Sequence, residues 1–128
     1  MYVDTCVLLK LYFKEPESDA IQTAVKGHSV VASELSLTEF ASCIARKQRE
    51  RALTKRQAAE IMALFRSHVE ECVLEIVRLE TSSLEYAAKL FFDVPAMVPL
   101  RTLDAIHLAV CKEHKLFPLL TTDKVMIA

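Results

Sequence analysis

Apolar and polar positions along the 128 residues change period several times, and the changes delimit the elements. Tyr2-Val3 reads as a short buried strand. Val7 to Phe13 is apolar and predicts a helix ending near Pro16. Glu17 to Lys26 predicts a second helix, with Ile21 and Val25 one turn apart, and Gly27 is its natural stop. Ser29 to Ala32 reads as a strand. Ser36 to Ala52 predicts a long helix with Leu37, Phe40, Ala41 and Ile44 on one face. Thr54 can cap another helix running to about Glu71, with Ile61, Leu64 and Phe65 as its apolar stripe. Val73 to Leu79 alternates as a strand, Thr81 to Phe92 predicts a helix, and Pro95 and Pro99 mark a loop. Thr102 can cap a helix to about His114, Pro118 to Thr121 reads as a strand, and Asp123 opens what would be a last helix. Strands alternating with helices or helix pairs predict a parallel sheet covered by helices, an α/β sandwich in a single domain.

Composition narrows the function classes. With 52% hydrophobic and 26% charged residues, the chain is neither disordered nor membrane-spanning, and no apolar run reaches the roughly 20 residues a span needs. The N-terminus carries no basic stretch followed by an apolar one, so no secretion signal is legible. One glycine, Gly27, excludes the glycine-rich phosphate loops of the Walker and dinucleotide-binding types. Cys6, Cys43, Cys72 and Cys111 form no Cys-x-x-Cys pair and read as buried free thiols, consistent with a cytoplasmic protein. The net charge of −1 is uninformative, but Arg46, Lys47, Arg49, Arg51, Lys55 and Arg56 crowd into eleven residues. That patch reads either as a solvated helix end or as a surface for a phosphate backbone.

Four acids stand out by position. Asp4 ends the first strand and Asp123 follows the last; in neighbouring parallel strands their carboxylates would converge where such sheets bind ligands. Either residue alone reads equally as a helix N-cap. Asp104 sits in the first turn of an apolar helix beside His107, Leu108 and Cys111, a poor setting for an exposed acid. Glu39 has Leu35, Ser36, Ser42 and Cys43 at its helical neighbour positions, with no basic partner. Four clustered carboxylates repel unless cations enter, and oxygen-only donors favour Mg²⁺ or Mn²⁺. Such a cluster can activate water for phosphodiester hydrolysis. His107 reads either as a satisfied histidine beneath the site or as a partner to a carboxylate, and Arg101 as a partner to a carboxylate or to phosphate. Tyr12 and Phe13 fit core packing or a partner surface, while His28, His68 and His114 read as loop or helix-surface residues.

The segments Tyr2-Val3-Asp4-Thr5, Ser36-Leu37-Thr38-Glu39, Leu100 to Ala109 and Leu120-Thr121-Thr122-Asp123, in this order and spacing, resemble the PIN-domain nucleases and within them the VapC toxins. The resemblance runs over residues 1–128. It implies a three-layer α/β/α sandwich with a central parallel sheet, and a Mg²⁺- or Mn²⁺-dependent endoribonuclease. It also implies an RNA substrate, a cognate antitoxin and a homodimer. By matching position, Asp4, Glu39 and Asp104 would be the principal metal ligands and Asp123 a fourth. Thr5 and Thr121 or Thr122 would orient water or ligands. Two departures stand out. Many relatives carry Ser or Asn where this chain has Cys6, and relatives continue beyond the Asp123 position through a helix and an edge strand, so that either these are cut short here or the sheet has one strand fewer. Other readings are a PIN ribonuclease of RNA processing, a degenerate PIN fold serving as a protein-binding module, and a phosphatase or phospho-acceptor receiver. The last lacks its late lysine, since Lys124 follows Asp123 directly.

Overall fold

A computed structural model describes residues 1–121. The element order is β1 (Tyr2–Val3), α1 (Thr5–Tyr12), α2 (Ser18–Val25), β2 (Val30–Ser33), α3 (Leu35–Arg49), α4 (Lys55–Glu70), β3 (Leu74–Val77), α5 (Thr81–Asp93), α6 (Thr102–Glu113) and β4 (Leu119–Leu120). The four described strands form one parallel sheet in the order β3-β2-β1-β4. The chain thus builds outward from β1 to β3 and then crosses back to place β4 on the other side of β1. That reversal puts α1 to α4 on one face of the sheet and α5 and α6 on the other.

Strand alternation sorts the core accordingly. Val3 and Ala32 pack with Val7, Leu8, Phe40, Ile44 and Phe65 from the α1–α4 layer. Tyr2 and Val31 face the opposite way, onto Ala105, Ile106, Ala109 and Val110 of α6 and Ala87 of α5. The expected α/β/α sandwich is present.

Local signals set the boundaries. The Asp4 side chain caps α1 by accepting from the Val7 N–H. Thr54 and Gln57 form a reciprocal capping box at α4. Gly27, with φ of +81°, ends the α2 region in a conformation that costs other residues a Cβ clash.

Several expectations need correction. Thr102 is the first residue of α6 rather than its cap; Arg101 holds the cap position without a side-chain bond. On α3 the inward stripe is Ser36, Phe40 and Ile44, and Leu37 is exposed. On α4 Phe65 is buried but Leu64 is half exposed, and Val73, read as part of β3, lies outside it and is exposed. The cysteines are free, yet only Cys111 is buried; Cys6 and Cys72 are exposed. His68 is not simply a surface residue, because the Tyr12 hydroxyl meets its Nδ1 at 2.5 Å. Tyr12 and Phe13 are half-buried and pack against the α1–α4 core.

Candidate active site

The order in which strands are added reverses between β1 and β4, and the crevice outside the carboxyl ends of these parallel strands is where open α/β sheets take ligands. Asp4 follows β1 at that point. Its backbone N–H reaches the Leu120 carbonyl of β4 at 3.4 Å, and the residue is 3% exposed. Oδ1 is engaged by the helix cap, while Oδ2 accepts a short hydrogen bond from the Thr121 hydroxyl at the end of β4. The capping role and a site role are therefore compatible, each using its own oxygen.

Glu39 comes from the second turn of α3. Its Oε1 accepts from Thr5 Oγ1 at 2.6 Å and lies 2.7 Å from His107 Nε2. Burial works against its ionisation, but the hydrogen bonds from His107 and Thr5 hold it below the usual carboxylate range. Among the described residues no donor reaches Oε2. Glu39 lines a shallow pocket of about 380 Å³ with Leu35, Thr38, Ser42, Cys43 and Leu103. Asp104 enters from the first turn of α6. Its side chain is 18% exposed, and Oδ2 lies 3.6 Å from Nε of the largely exposed Arg101. Of the two roles foreseen for Arg101, the carboxylate pairing is the one observed.

Cys6, in the first turn of α1, has its pKa pushed up to about 11 by burial first, then by Asp4, Cys43, Glu39 and Asp104. Asp4, Glu39 and Asp104 thus each raise the pKa of the same thiol, from the end of β1, from α3 and from α6. Asp123 and Thr122 lie outside the described residues.

His107 is almost fully buried and joins the two readings proposed for it: it is satisfied beneath the site, and it is the partner of a carboxylate. Two residues were not foreseen. Tyr2 places its hydroxyl 2.6 Å from His107 Nδ1, and buried Ser36 lies 3.0 Å from Thr5 Oγ1. The available signal for Tyr2 was strand alternation, which turns it from Val3 toward the face where α6 packs.

The donor set is all oxygen. Among the described residues no three His, Cys, Asp or Glu side chains converge on one ion-sized space. A hard cation such as Mg²⁺ does not need such a cage, because it keeps several waters and takes one or two carboxylates. Glu39 Oε2, with no donor among the described residues, is suited to that manner of binding.

The PIN domain family model matches residues 1–128, and the chain belongs to that family. Its fold is similar to that of Mycobacterium tuberculosis VapC20, a toxin that cleaves the sarcin–ricin loop: TM-score 0.73, 18% identity, covering 96% of this chain and 89% of that one. It is also similar to a chain of a toxin–antitoxin complex from Klebsiella pneumoniae, with TM-score 0.69, 17% identity, and 99% and 89% covered. No curated protein sequence matches the chain.

Proposed function

We propose that this PIN-domain protein is a Mg²⁺- or Mn²⁺-dependent endoribonuclease and the toxin of a toxin–antitoxin pair. One observation carries the reading: at the β1/β4 crevice Asp4 is held by Thr121 at the end of β4, and its chain neighbour Thr5 holds Glu39 of α3 at 2.6 Å. Family membership supports nuclease chemistry, and a structural relative taken from a toxin–antitoxin complex supports an antitoxin partner.

Asp4, Glu39 and Asp104 would hold the ion, with Asp123 as a fourth acid. Bound there, the ion would polarise the phosphodiester and lower the pKa of an attacking water. The chain's own residues supply orientation. Thr121 fixes Asp4 and, with Val7 N–H, occupies one acceptor position on each of its oxygens. Thr5 and His107 fix Glu39. Arg101 places a guanidinium on the rim beside Asp104, within reach of a substrate phosphate. The basic end of α3 continues the surface: Arg46 lies seven residues past Glu39, about 10 Å along the helix axis. Lys47 is committed to Glu15 at 3.3 Å, and Arg46 and Arg49 are the exposed cations there that would track an RNA backbone. A second copy of the chain would cover the exposed apolar side chains Leu84, Phe91 and Phe92 on α5.

The test is cleavage of a structured ribosomal RNA fragment by the purified protein. Metal chemistry at such a site is worth several kcal/mol, so Asp104→Asn and Asp4→Asn should each lose on the order of a hundredfold or more in rate. Asn is as good an N-cap as Asp, so Asp4→Asn leaves α1 capped. Chelation with EDTA should stop the reaction and added Mn²⁺ should restore it. Wild-type cleavage by Asp104→Asn, or cleavage that survives EDTA, would sink the proposal.

A further inference from the structure

Beneath the carboxylates runs a buried hydrogen-bonded chain in which the ionised Glu39 carboxylate sets the proton directions. A carboxylate at neutral pH only accepts, so the two groups on Glu39 Oε1 must both donate. Thr5 donates its hydroxyl proton at 2.6 Å, and His107 donates Nε2–H at 2.7 Å. The Thr5 proton being spent, Ser36 at 3.0 Å is the donor to Thr5 Oγ1. On the far side of the imidazole, the Tyr2 phenol is fully buried and its proton needs an acceptor. The phenol's other side-chain partner is Ser33, whose oxygen already accepts from the Leu35 N–H at 3.0 Å and whose proton is left for the phenol oxygen; Nδ1 of His107, 2.6 Å from the phenol, supplies the acceptor if it is bare. The phenol and the carboxylate thus select the same tautomer from opposite ends.

We propose that Tyr2 and His107 are positioning residues for Glu39: the phenol locks His107 as its Nε2–H tautomer, and that N–H with Thr5 pins Oε1 so that Oε2 is held ready for the site's cation. The proposal rests on Glu39 working in the site as argued above. The two residues lie 105 positions apart, and the contact ties the first strand to α6, so it also fixes α6, which carries Asp104, against β1. Outer-shell partners of this kind typically influence metal affinity or turnover 10- to 100-fold.

Two measurements test it. Nitrogen-15 NMR of histidine-labelled full chain, with the His107 signals assigned from His107→Gln, should show Nδ1 unprotonated and Nε2 protonated at neutral pH. Tyr2→Phe, which removes one oxygen, should turn this into a mixture of tautomers. In the cleavage assay with Mg²⁺, Tyr2→Phe should lower kcat roughly tenfold with KM for RNA unchanged. His107→Leu should lose more, while His107→Gln, which keeps an N–H for Glu39, should recover much of the rate. A protonated Nδ1 in the wild type, or a tautomer indifferent to Tyr2→Phe, overturns the lock. Wild-type kcat in both Tyr2→Phe and His107→Leu, with Glu39→Gln inactive, overturns the positioning role alone. Wild-type kcat in Glu39→Gln overturns the site reading and the positioning role together.

Discussion

The molecule contains the same side-chain pair twice. Tyr2 bonds His107 Nδ1 at 2.6 Å on the α5–α6 side of the sheet, and Tyr12 bonds His68 Nδ1 at 2.5 Å on the α1–α4 side. Burial raises both phenols, Tyr12 to about 12 and Tyr2 further. Ring geometries are comparable, with centroids 5.9 and 5.5 Å apart. The difference lies at the second ring nitrogen. That of His107 meets Glu39; that of His68 has no hydrogen-bond partner among the described residues, and the ring borders a pocket lined by Leu8, Leu11, Leu64 and Val73. A Tyr–His hydrogen bond is therefore not in itself a functional feature. Its meaning is set by what the imidazole passes the constraint on to.

If that contrast holds, damage around the Tyr12–His68 pair should cost stability and leave the chemistry of the folded fraction alone. The largest effect is expected from Phe65→Ala. Phe65 is 2% exposed, stacks on Phe40 with centroids 4.2 Å apart and meets Tyr12 edge-on at 5.7 Å. Its truncation should lower unfolding free energy by about 3–5 kcal/mol in urea titration. Cleavage rate per folded molecule should stay within a factor of about two, well inside the tenfold that 1.36 kcal/mol on the barrier would produce. A larger loss per folded molecule would mean the two sides are coupled and the contrast is false.

The milder counterpart is Tyr12→Phe, which deletes only the bond to His68. A net hydrogen bond is worth about 1 kcal/mol, so a loss of that size in stability, with kcat unchanged, is expected. Set beside Tyr2→Phe, the two variants remove the same atom from the same kind of pair. Equal effects on kcat would erase the distinction drawn here.

The two sides also differ in how far the sequence reveals them. Hydrophobic periodicity was sufficient for the elements, because strands Tyr2–Val3 and Val30–Ser33 and the capped helix from Thr54 follow from local chemistry. It failed on α3 in an instructive way. A reading by hydrophobicity turns Leu37 inward, whereas the helix turns Ser36 inward, because Ser36 has a polar partner in Thr5, 31 residues away. Glu39 and Asp104 were legible one at a time as acids in unsuitable surroundings, and Asp4 by its place at the end of a strand. Tyr2 was not, since nothing within a strand of two residues tells a packing tyrosine from one that orients a histidine 105 positions later. The cysteines misled for the related reason that an apolar neighbourhood in sequence does not bury Cys6, which starts a helix at the rim of the site.

The smallest expected effect contrasts two carboxylates rather than two tyrosines. Glu15, like Glu39, ionises more readily than a free glutamate: burial opposes it, but Lys10 at 3.0 Å and Lys47 at 3.3 Å outweigh that. Its partners tie the α1–α2 loop to α3, with Lys47 also 4.1 Å above the Phe13 ring, and the described ion pairs of both lysines are with Glu15 and Glu17. Because the folded-state pKa lies below the unfolded value, the stabilisation is fully present above about 4.5, the ordinary glutamate value, and is lost as pH falls through the folded-state pKa. Glu15→Gln should therefore cost on the order of 1 kcal/mol at neutral pH, and this difference from wild type should shrink below pH 4. Thermal melts at stepped pH would read it. A difference that grows on acidification would reverse the sign and rule out the ion pairs as its source, while any change in kcat at neutral pH would place Glu15 with Glu39 rather than with the scaffold.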